Sequence, residues 1–124
     1  MFASTKAFSG FAVDDLQSAR AFYEGTLGLK VSESNDLLTL HLAGDRDTLV
    51  YPKSDFSPAT YTILNFSVDD IDAAVDELAA HGVRVERYDG FDQDERGVSR
   101  AEGGPSIAWF RDPAGNILSV LEDG

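Results

Sequence analysis

The pattern of apolar and polar residues along the chain occurs twice. Residues 11–31 read FAVDDLQSARAFYEGTLGLKV, and residues 66–85 read FSVDDIDAAVDELAAHGVRV. Each copy has an apolar segment, a pair of aspartates, a segment with apolar residues at helical spacing, a glycine and a second apolar segment. A repeat of this kind in a short chain predicts two similar structural modules.

The first copy predicts one helix and four strands. An aspartate of the pair Asp14-Asp15 begins the helix, because a carboxylate accepts backbone N–H groups of the first helical turn. The helix covers about 15–26 and presents its apolar residues at helical spacing. Turn-forming residues separate the strands that follow. The predicted strands are 6–13, 28–34, 36–43 and 47–52.

The second copy repeats this order after a linker at 53–60. Its helix begins at Asp69 or Asp70 and ends near His81. The segment 89–104, DGFDQDERGVSRAEGG, interrupts the copy and is either a functional lid or a disordered loop. Its residues Phe91 and Val98 favour a packed loop. The predicted strands are 61–68, 83–88, about 105–111 and 116–122.

The predicted order of elements is therefore βαβββ, twice. It indicates an α+β fold with a first module at 1–55 and a second at 56–124. The 124 residues are enough for one compact domain built from both modules.

Composition narrows the classes of function. The net charge of −12 opposes binding to nucleic acids or an anionic membrane surface, and it favours either simple solubility or attraction of a cationic ligand. The chain has no cysteine, so disulfides and thiolate metal sites are excluded and a cytoplasmic location is the default. No apolar run is long enough for a membrane span, and the first residues do not have the pattern of a signal peptide.

The motifs in this order and spacing resemble the vicinal oxygen chelate superfamily, the glyoxalase, bleomycin-resistance and extradiol-dioxygenase group. The resemblance covers nearly the whole chain. It implies that the sheets of the two βαβββ modules curl around a shared cup, and that the protein is a homodimer, as many members are. The motifs are VDDL at 13–16, FY at 22–23, LGL at 27–29, VDDI at 68–71 and FRDPAGN at 110–116.

In enzymes of the superfamily a divalent metal in the cup is held by His, Gln or Glu side chains, two from each module. The resemblance places the corresponding positions at Phe8, at Val50 with a register uncertain by one residue, at Ile63 and at Ser119. None of these side chains is a competent ligand for that metal. We therefore expect no metal and no other cofactor, and no metal-dependent catalysis.

The other side chains of metal-binding types, the histidines and several aspartates, are better explained by structural roles. His81 suits the end of its helix, where the helix dipole favours it. His41 lies on a strand that reaches the cup, but a single histidine there more often bonds backbone or solvent. We expect Asp45, Asp47 and Asp112 to act in turns, because aspartate hydrogen-bonds turn backbone.

Strand alternation and the geometry of the superfamily predict a mostly apolar, aromatic cup with a few polar groups, which is typical of a small-molecule site. Each member has an alternative role: Phe8 and Ile63 either line the cup or fill it, Trp109 is either a core residue or a stacking surface, and Arg111 either meets a ligand or pairs with Asp112 or Asp89. The candidate ligand-binding residues are Phe8, Tyr51, Ile63, Asn65, Trp109, Arg111 and Ser119.

Three functions remain open at this point. The first and favoured one is a protein that binds a small, aromatic or cationic molecule, as in antibiotic resistance or sequestration. The second is an isomerase or lyase that works without the metal of the superfamily, or with a relocated one. The third is a structural or regulatory partner whose cup is filled. The expected partner is a small molecule, not a nucleic acid or a membrane.

Overall fold

Each half of the chain forms a four-stranded mixed sheet with a helix against one face. The computed structural model describes residues 1–100 and 103–123. The chain divides into two units, Met1–Pro58 and Ala59–Gly124. The two mixed sheets confirm the predicted α+β fold with tandem βαβββ modules. The part of the predicted loop at 101–102 lies outside the described residues.

The sheet of the first unit has the order β1-β4-β3-β2. Strand β1 pairs with β4 in parallel, and the other neighbours are antiparallel. A helix, and not a short hairpin turn, connects β1 to β2. Strand β1 therefore does not pair with β2 and lies beside β4 instead. The strands are β1 Ser9–Val13, β2 Lys30–Ser34, β3 Leu37–Leu42 and β4 Arg46–Pro52.

The helix of the first unit changes type along its length. Helix α1, Leu16–Arg20, is followed by a π-helical segment at Ala21–Thr26, so the predicted helix is not α-helical throughout. Hydrogen bonds to the Asp15 carboxylate begin α1, and the largest contribution, from the backbone N–H of Ser18, lowers the pKa of that carboxyl. Sequence spacing alone does not distinguish the wider π turns from α turns.

The second unit has the sheet order β5-β8-β7-β6. Its helix begins at Asp70, whose side chain accepts a hydrogen bond from the Ala73 N–H at 3.1 Å. Glu122 accepts a second bond from the Ile71 N–H at 2.8 Å, which ties the helix start to the last strand. The elements are β5 Thr62–Ser67, α2 Ile71–Ala80, β6 Ser99–Arg100, β7 Ser106–Arg111 and β8 Ile117–Glu122.

The apolar core of each unit lies between its sheet and its helix. In the first unit the Phe11 ring lies 5.7 Å from the Tyr23 ring of the helical segment. In the second, Phe110 is 1% exposed on the strand face that packs on α2. We call the opposite face of each sheet its far face. Side chains alternate between the faces along a strand, so the sequence neighbours of helix-facing residues lie on the far face, together with the cross-strand partners of those neighbours.

The prediction of a regular strand at 83–88 is wrong. Only Val85 forms a bridge, to Phe110, and the Glu86 N–H bonds the Trp109 carbonyl at 2.8 Å. The Gln93 side chain then takes the place of a strand neighbour, accepting from the Tyr88 N–H and donating to the Glu86 carbonyl, each at 2.9 Å. The strand that completes the edge of the sheet is β6, which pairs with β7.

The segment between Tyr88 and β6 is packed and hydrogen-bonded over its described residues. Asp94 accepts backbone bonds from Arg96 at 2.9 Å and from Val98 at 3.0 Å, and Val98 is 1% exposed. Burial raises the pKa of Asp94, but its bonds from Val98, Arg100 and Arg96 outweigh that effect and lower the pKa. Gly97 has φ +86°, and a Cβ there would meet Val85 at 2.5 Å, so glycine is required.

Candidate functional site

A row of polar and aromatic residues crosses the far face of the second sheet. Ser119 lies at its centre, paired with Asn65 of β5 in the parallel register and with Trp109 of β7 in the antiparallel register. Their neighbours Leu118 and Phe110 point toward α2 and are buried. Three candidate residues predicted from the sequence are therefore adjacent on one surface.

The two polar members of the row bond each other. The Ser119 hydroxyl donates to the Asn65 side-chain oxygen, and Ser119 is fully buried while Asn65 is exposed. A buried hydroxyl needs a partner, and Asn65 provides it. The bond also fixes which end of the Asn65 amide faces Ser119, so its NH₂ group points elsewhere and remains a potential donor.

Three aromatic rings form a cluster at the end of this row. Phe91 stacks on Trp109 with ring centroids 5.2 Å apart and planes at 20°. Tyr88 meets both rings edge-on, at 5.6 Å from Trp109 and 5.9 Å from Phe91. Phe91 is 54% exposed, and Trp109 is half-buried. Trp109 is therefore neither a core residue nor a bare platform, because one of its faces is covered by Phe91.

The Tyr88 hydroxyl is buried and has no hydrogen-bond partner among the described residues. Tyrosine hydroxyls that are removed from water usually find a partner, so an unpaired one is unusual. It lies on the ring that touches both Trp109 and Phe91. This places an unsatisfied polar atom within the aromatic cluster.

The sequence left open whether Arg111 meets a ligand or pairs with Asp112 or Asp89. Arg111 donates to the Glu86 carboxylate and, at 2.9 Å, to the Gly115 carbonyl. Glu86, in the segment 83–88 beside β7, bonds the Trp109 backbone, so its side chain shares the far face with Trp109 and Arg111. The ion pair balances the charge of Arg111 beside the aromatic cluster.

Ile63 cannot be assigned a face by alternation. The register between β5 and β8 shifts between Thr62 and Leu64, which makes Ile63 part of a bulge. Its side chain is half-buried. The expectation that Ile63 shares a face with Asn65 was based on unbroken alternation, and the bulge removes that basis.

The other two candidate residues belong to the first unit. Tyr51 lies on the far face of the first sheet, pairs with Ala12 in the register and is 37% exposed. Phe8 precedes β1 and is 71% exposed, so the alternative that it fills a closed core is wrong. The structure groups Asn65, Trp109, Arg111 and Ser119 within the second unit.

The side chains at the positions where the superfamily holds its metal do not fit that metal. Phe8 and Ile63 have no donor atoms, and the Ser119 hydroxyl is committed to Asn65. Val50 has no donor atom in its side chain and is fully buried on the helix-facing side, whereas its neighbours Leu49 and Tyr51 face the other way. Within residues 1–100 and 103–123, no group of three or more His, Asp or Glu residues is arranged to hold a metal ion.

Sequence reasoning missed Glu86 and Tyr88 as members of the site. Both occur in the segment RVERYDG at 84–90, and their spacing of two residues puts them on the same side of an extended chain as each other. That spacing was the available signal. The stacking of Phe91 on Trp109 could not be predicted from the sequence, because the loop conformation that places Phe91 there depends on the hydrogen bonds of Gln93.

The comparisons with known proteins agree with this fold. The chain is similar to the antibiotic-binding protein TnmS3 from a Streptomyces species, at 21% identity over 98% of both chains with a TM-score of 0.70. It is similar to lactoylglutathione lyase from Agrobacterium tumefaciens, at 23% identity over 97% of this chain and 95% of that one, with a TM-score of 0.69. No curated protein matches the chain.

The fosfomycin resistance protein FosX from Listeria monocytogenes is similar at 16% identity, over 98% of this chain and 94% of that one, with a TM-score of 0.73. None of the described helices is long and apolar enough to cross a membrane. The family model for the glyoxalase, bleomycin resistance protein and dioxygenase superfamily matches residues 7–120. The chain therefore belongs to that superfamily.

Proposed function

We propose that this protein binds a small organic molecule with a planar aromatic group on the far face of its second sheet, without a metal ion. The observation that carries the proposal is the stack of Phe91 on Trp109, at 5.2 Å and 20°, with the Phe91 ring 54% exposed. An exposed aromatic ring held against a sheet is a stacking surface for another planar ring.

The polar groups around the stack suit an orienting role. The exposed Asn65 amide lies in the same row as Trp109, and its NH₂ group is not used in the bond to Ser119. Small-molecule sites commonly combine aromatic surface with a few polar groups that fix the orientation of the ligand. The ligand therefore has a planar ring and at least one polar substituent.

Charge favours a cationic or neutral ligand over an anionic one. Arg111 is paired with Glu86 at this surface, so its positive charge is not free to attract an anion. The net charge of −12 raises the local concentration of cations around the chain. We therefore place planar cations ahead of planar anions as ligands.

The superfamily contains both binding proteins and enzymes, and the side chains of this chain favour binding. TnmS3 is an antibiotic-binding protein with the same fold. In contrast, Phe8 and Ile63 offer no donor atoms where the metalloenzymes of the superfamily have ligands, and Ser119 is already bonded to Asn65. Stacking and shape require no metal, so the absence of donors does not impair this function.

A fluorescence screen tests the proposal. Trp109 is the single tryptophan of the chain, so the emission reports this surface alone. We expect a saturable change in emission with at least one planar aromatic cation from a broad panel. Phe91→Ala should lower the affinity for that compound by about 5- to 10-fold, since an aromatic pair contributes about 1 kcal/mol beyond its buried area.

Phe2→Ala is the matched control, because Phe2 is 73% exposed and lies outside the cluster. It should leave the affinity unchanged. A panel in which no compound moves the emission, or a ligand that Phe2→Ala and Phe91→Ala weaken equally, would contradict the proposed site.

A further inference from the structure

Three side chains on the far face of the first sheet form a continuous hydrogen-bonded chain. The Ser32 hydroxyl lies 2.8 Å from Nε2 of His41. Nδ1 of His41 lies 3.0 Å from a carboxylate oxygen of Asp47. This serine, histidine and carboxylate arrangement corrects two expectations, because His41 bonds side chains rather than backbone and Asp47 belongs to β4 rather than to a turn.

The arrangement follows from the register of three neighbouring strands. Ser32 is on β2, His41 on β3 and Asp47 on β4. His41 is directly opposite Asp47, and Ser32 is opposite Thr39, two residues from His41 on the same face. Rigid strands therefore position all three groups, rather than flexible loops.

The contacts define a chemical role for each group. The Asp47 carboxylate can only accept, so the proton of a neutral imidazole is held at Nδ1. Nε2 is then left as the acceptor for the Ser32 hydroxyl proton. A nucleophile within hydrogen-bond reach of a base, with that base oriented by a third group, is the arrangement that activates a serine.

We propose that Ser32 is a nucleophile toward carboxylic esters, with His41 as general base and Asp47 as its positioning residue. The Ser32 oxygen bonds the ester carbonyl carbon as its proton moves to Nε2 of His41. The C–O bond to the alcohol breaks, and Nε2 returns the proton to the departing oxygen. Water then adds to the acyl-serine, with His41 again accepting a proton, and the acid leaves as Ser32 regains its hydroxyl proton.

Neighbouring residues on the same face indicate the class of ester. Leu49 lies opposite Thr39, one row away from His41 and Asp47, and Tyr51 follows it on β4. These side chains offer apolar surface for an alkyl or aryl group about two strand spacings, roughly 10 Å, from Ser32. Lys30 lies opposite His41 and places a positive charge on the face where the carbonyl oxygen becomes negative.

The alternative is that the three side chains only stabilise the sheet through cross-strand bonds. The side chains of His41 and Asp47 are 33% and 55% exposed, so a purely structural contribution of their contact is small. A structural role predicts no covalent chemistry at Ser32. This inference does not depend on the ligand proposed for the second sheet, since its residues belong to the first.

Hydrolysis of p-nitrophenyl butyrate by the full chain tests the proposal. We expect Ser32→Ala and His41→Gln each to lower the protein-dependent rate at least about 100-fold, the usual range for losing acid–base assistance. Ser34→Ala and His81→Gln are matched controls, because Ser34 is an exposed serine on the same strand and His81 is the other histidine. Both should keep the rate.

Labelling with a fluorophosphonate gives an independent readout. Mass spectrometry of the intact chain and its peptides should find one adduct, at Ser32, which Ser32→Ala abolishes and Ser34→Ala retains. Folding of each variant is checked by circular dichroism. A rate that His41→Gln and His81→Gln lower equally indicates simple imidazole catalysis and overturns the proposal. So does the lack of an adduct at Ser32 in the unaltered chain.

Discussion

Replacing Phe110 by alanine is expected to lower the free energy of unfolding by about 3–5 kcal/mol. Phe110 is 1% exposed and lies on β7 between Leu118 of β8 and Val85, on the face that packs against α2. Truncation removes a large buried ring and leaves a cavity that the strands on both sides hold open. Chemical denaturation followed by circular dichroism measures the change.

Phe2→Ala provides the control for this prediction. Phe2 is 73% exposed, so its truncation should change the free energy of unfolding by less than about 0.5 kcal/mol. Equal effects of the two substitutions would show that Phe110 is not the centre of the second core. The same denaturation curves report both variants.

Asp112→Ala should cost about 3 kcal/mol of stability. Asp112 is 4% exposed, and its carboxylate accepts the Asn116 backbone N–H at 2.8 Å and the Asn116 side-chain amide at 3.1 Å. Hydrogen bonds to a charged group contribute about 1.5–3 kcal/mol each, and Asn116 is itself buried, so its donors lose a partner inside the protein.

Asp112→Asn is the informative comparison, because its amide keeps one oxygen acceptor in the same place. Its free energy of unfolding should lie between those of the unaltered chain and of Asp112→Ala. Asp92→Ala, in the exposed part of the loop, is the neutral control. If Asp112→Ala and Asp92→Ala destabilise equally, the turn does not hold β7 and β8 together as described.

The turn also explains why one family motif is so recognisable. The segment FRDPAGN at 110–116 combines a core residue, the buried carboxylate of Asp112 and Gly115 with φ +95°. Each of these features supports the turn between β7 and β8, and none of them is a catalytic group. The motif therefore identifies the fold without identifying the reaction.

The fold was predictable because it depends on short-range signals. Asp15 and Asp70 both lie where the carboxylate can begin a helix, and turn-forming residues between apolar segments located most of the strands. The predictions failed where a side chain replaces backbone pairing. The Gln93 side chain bonds Tyr88 and Glu86 where a strand at 83–88 was expected, and the hydrophobic pattern does not indicate that a glutamine takes this role.

The candidate sites were less predictable, because they depend on register and on loops. The resemblance to the superfamily pointed to Ser119 and Trp109, and alternation counted from Ile63 pointed to Asn65. The three do share a row, although the bulge at Ile63 interrupts that alternation. Ser32, His41 and Asp47 do not form a recognisable sequence motif. Only the pairing of the three strands that carry them brings them into contact. A shift of one residue in any strand would separate them.

The two repeats thus carry different chemistry on corresponding faces. The far face of the first sheet has a hydrogen-bonded serine, histidine and carboxylate, and that of the second has stacked aromatic rings. In a duplicated fold, the side chains on the far face of each sheet can differ between the copies, because the stability of each unit comes from its helix-facing core.

We expect an organic ligand to bind this chain without a metal. The most direct measurement is calorimetric titration of the best compound from the Trp109 fluorescence screen, before and after exhaustive treatment of the protein with EDTA. Metal-free binding predicts one site per chain and the same affinity, within about 2-fold, in both titrations, since stacking on Trp109 and Phe91 needs no cation. Loss of binding after EDTA, with recovery on addition of zinc or nickel, would contradict it.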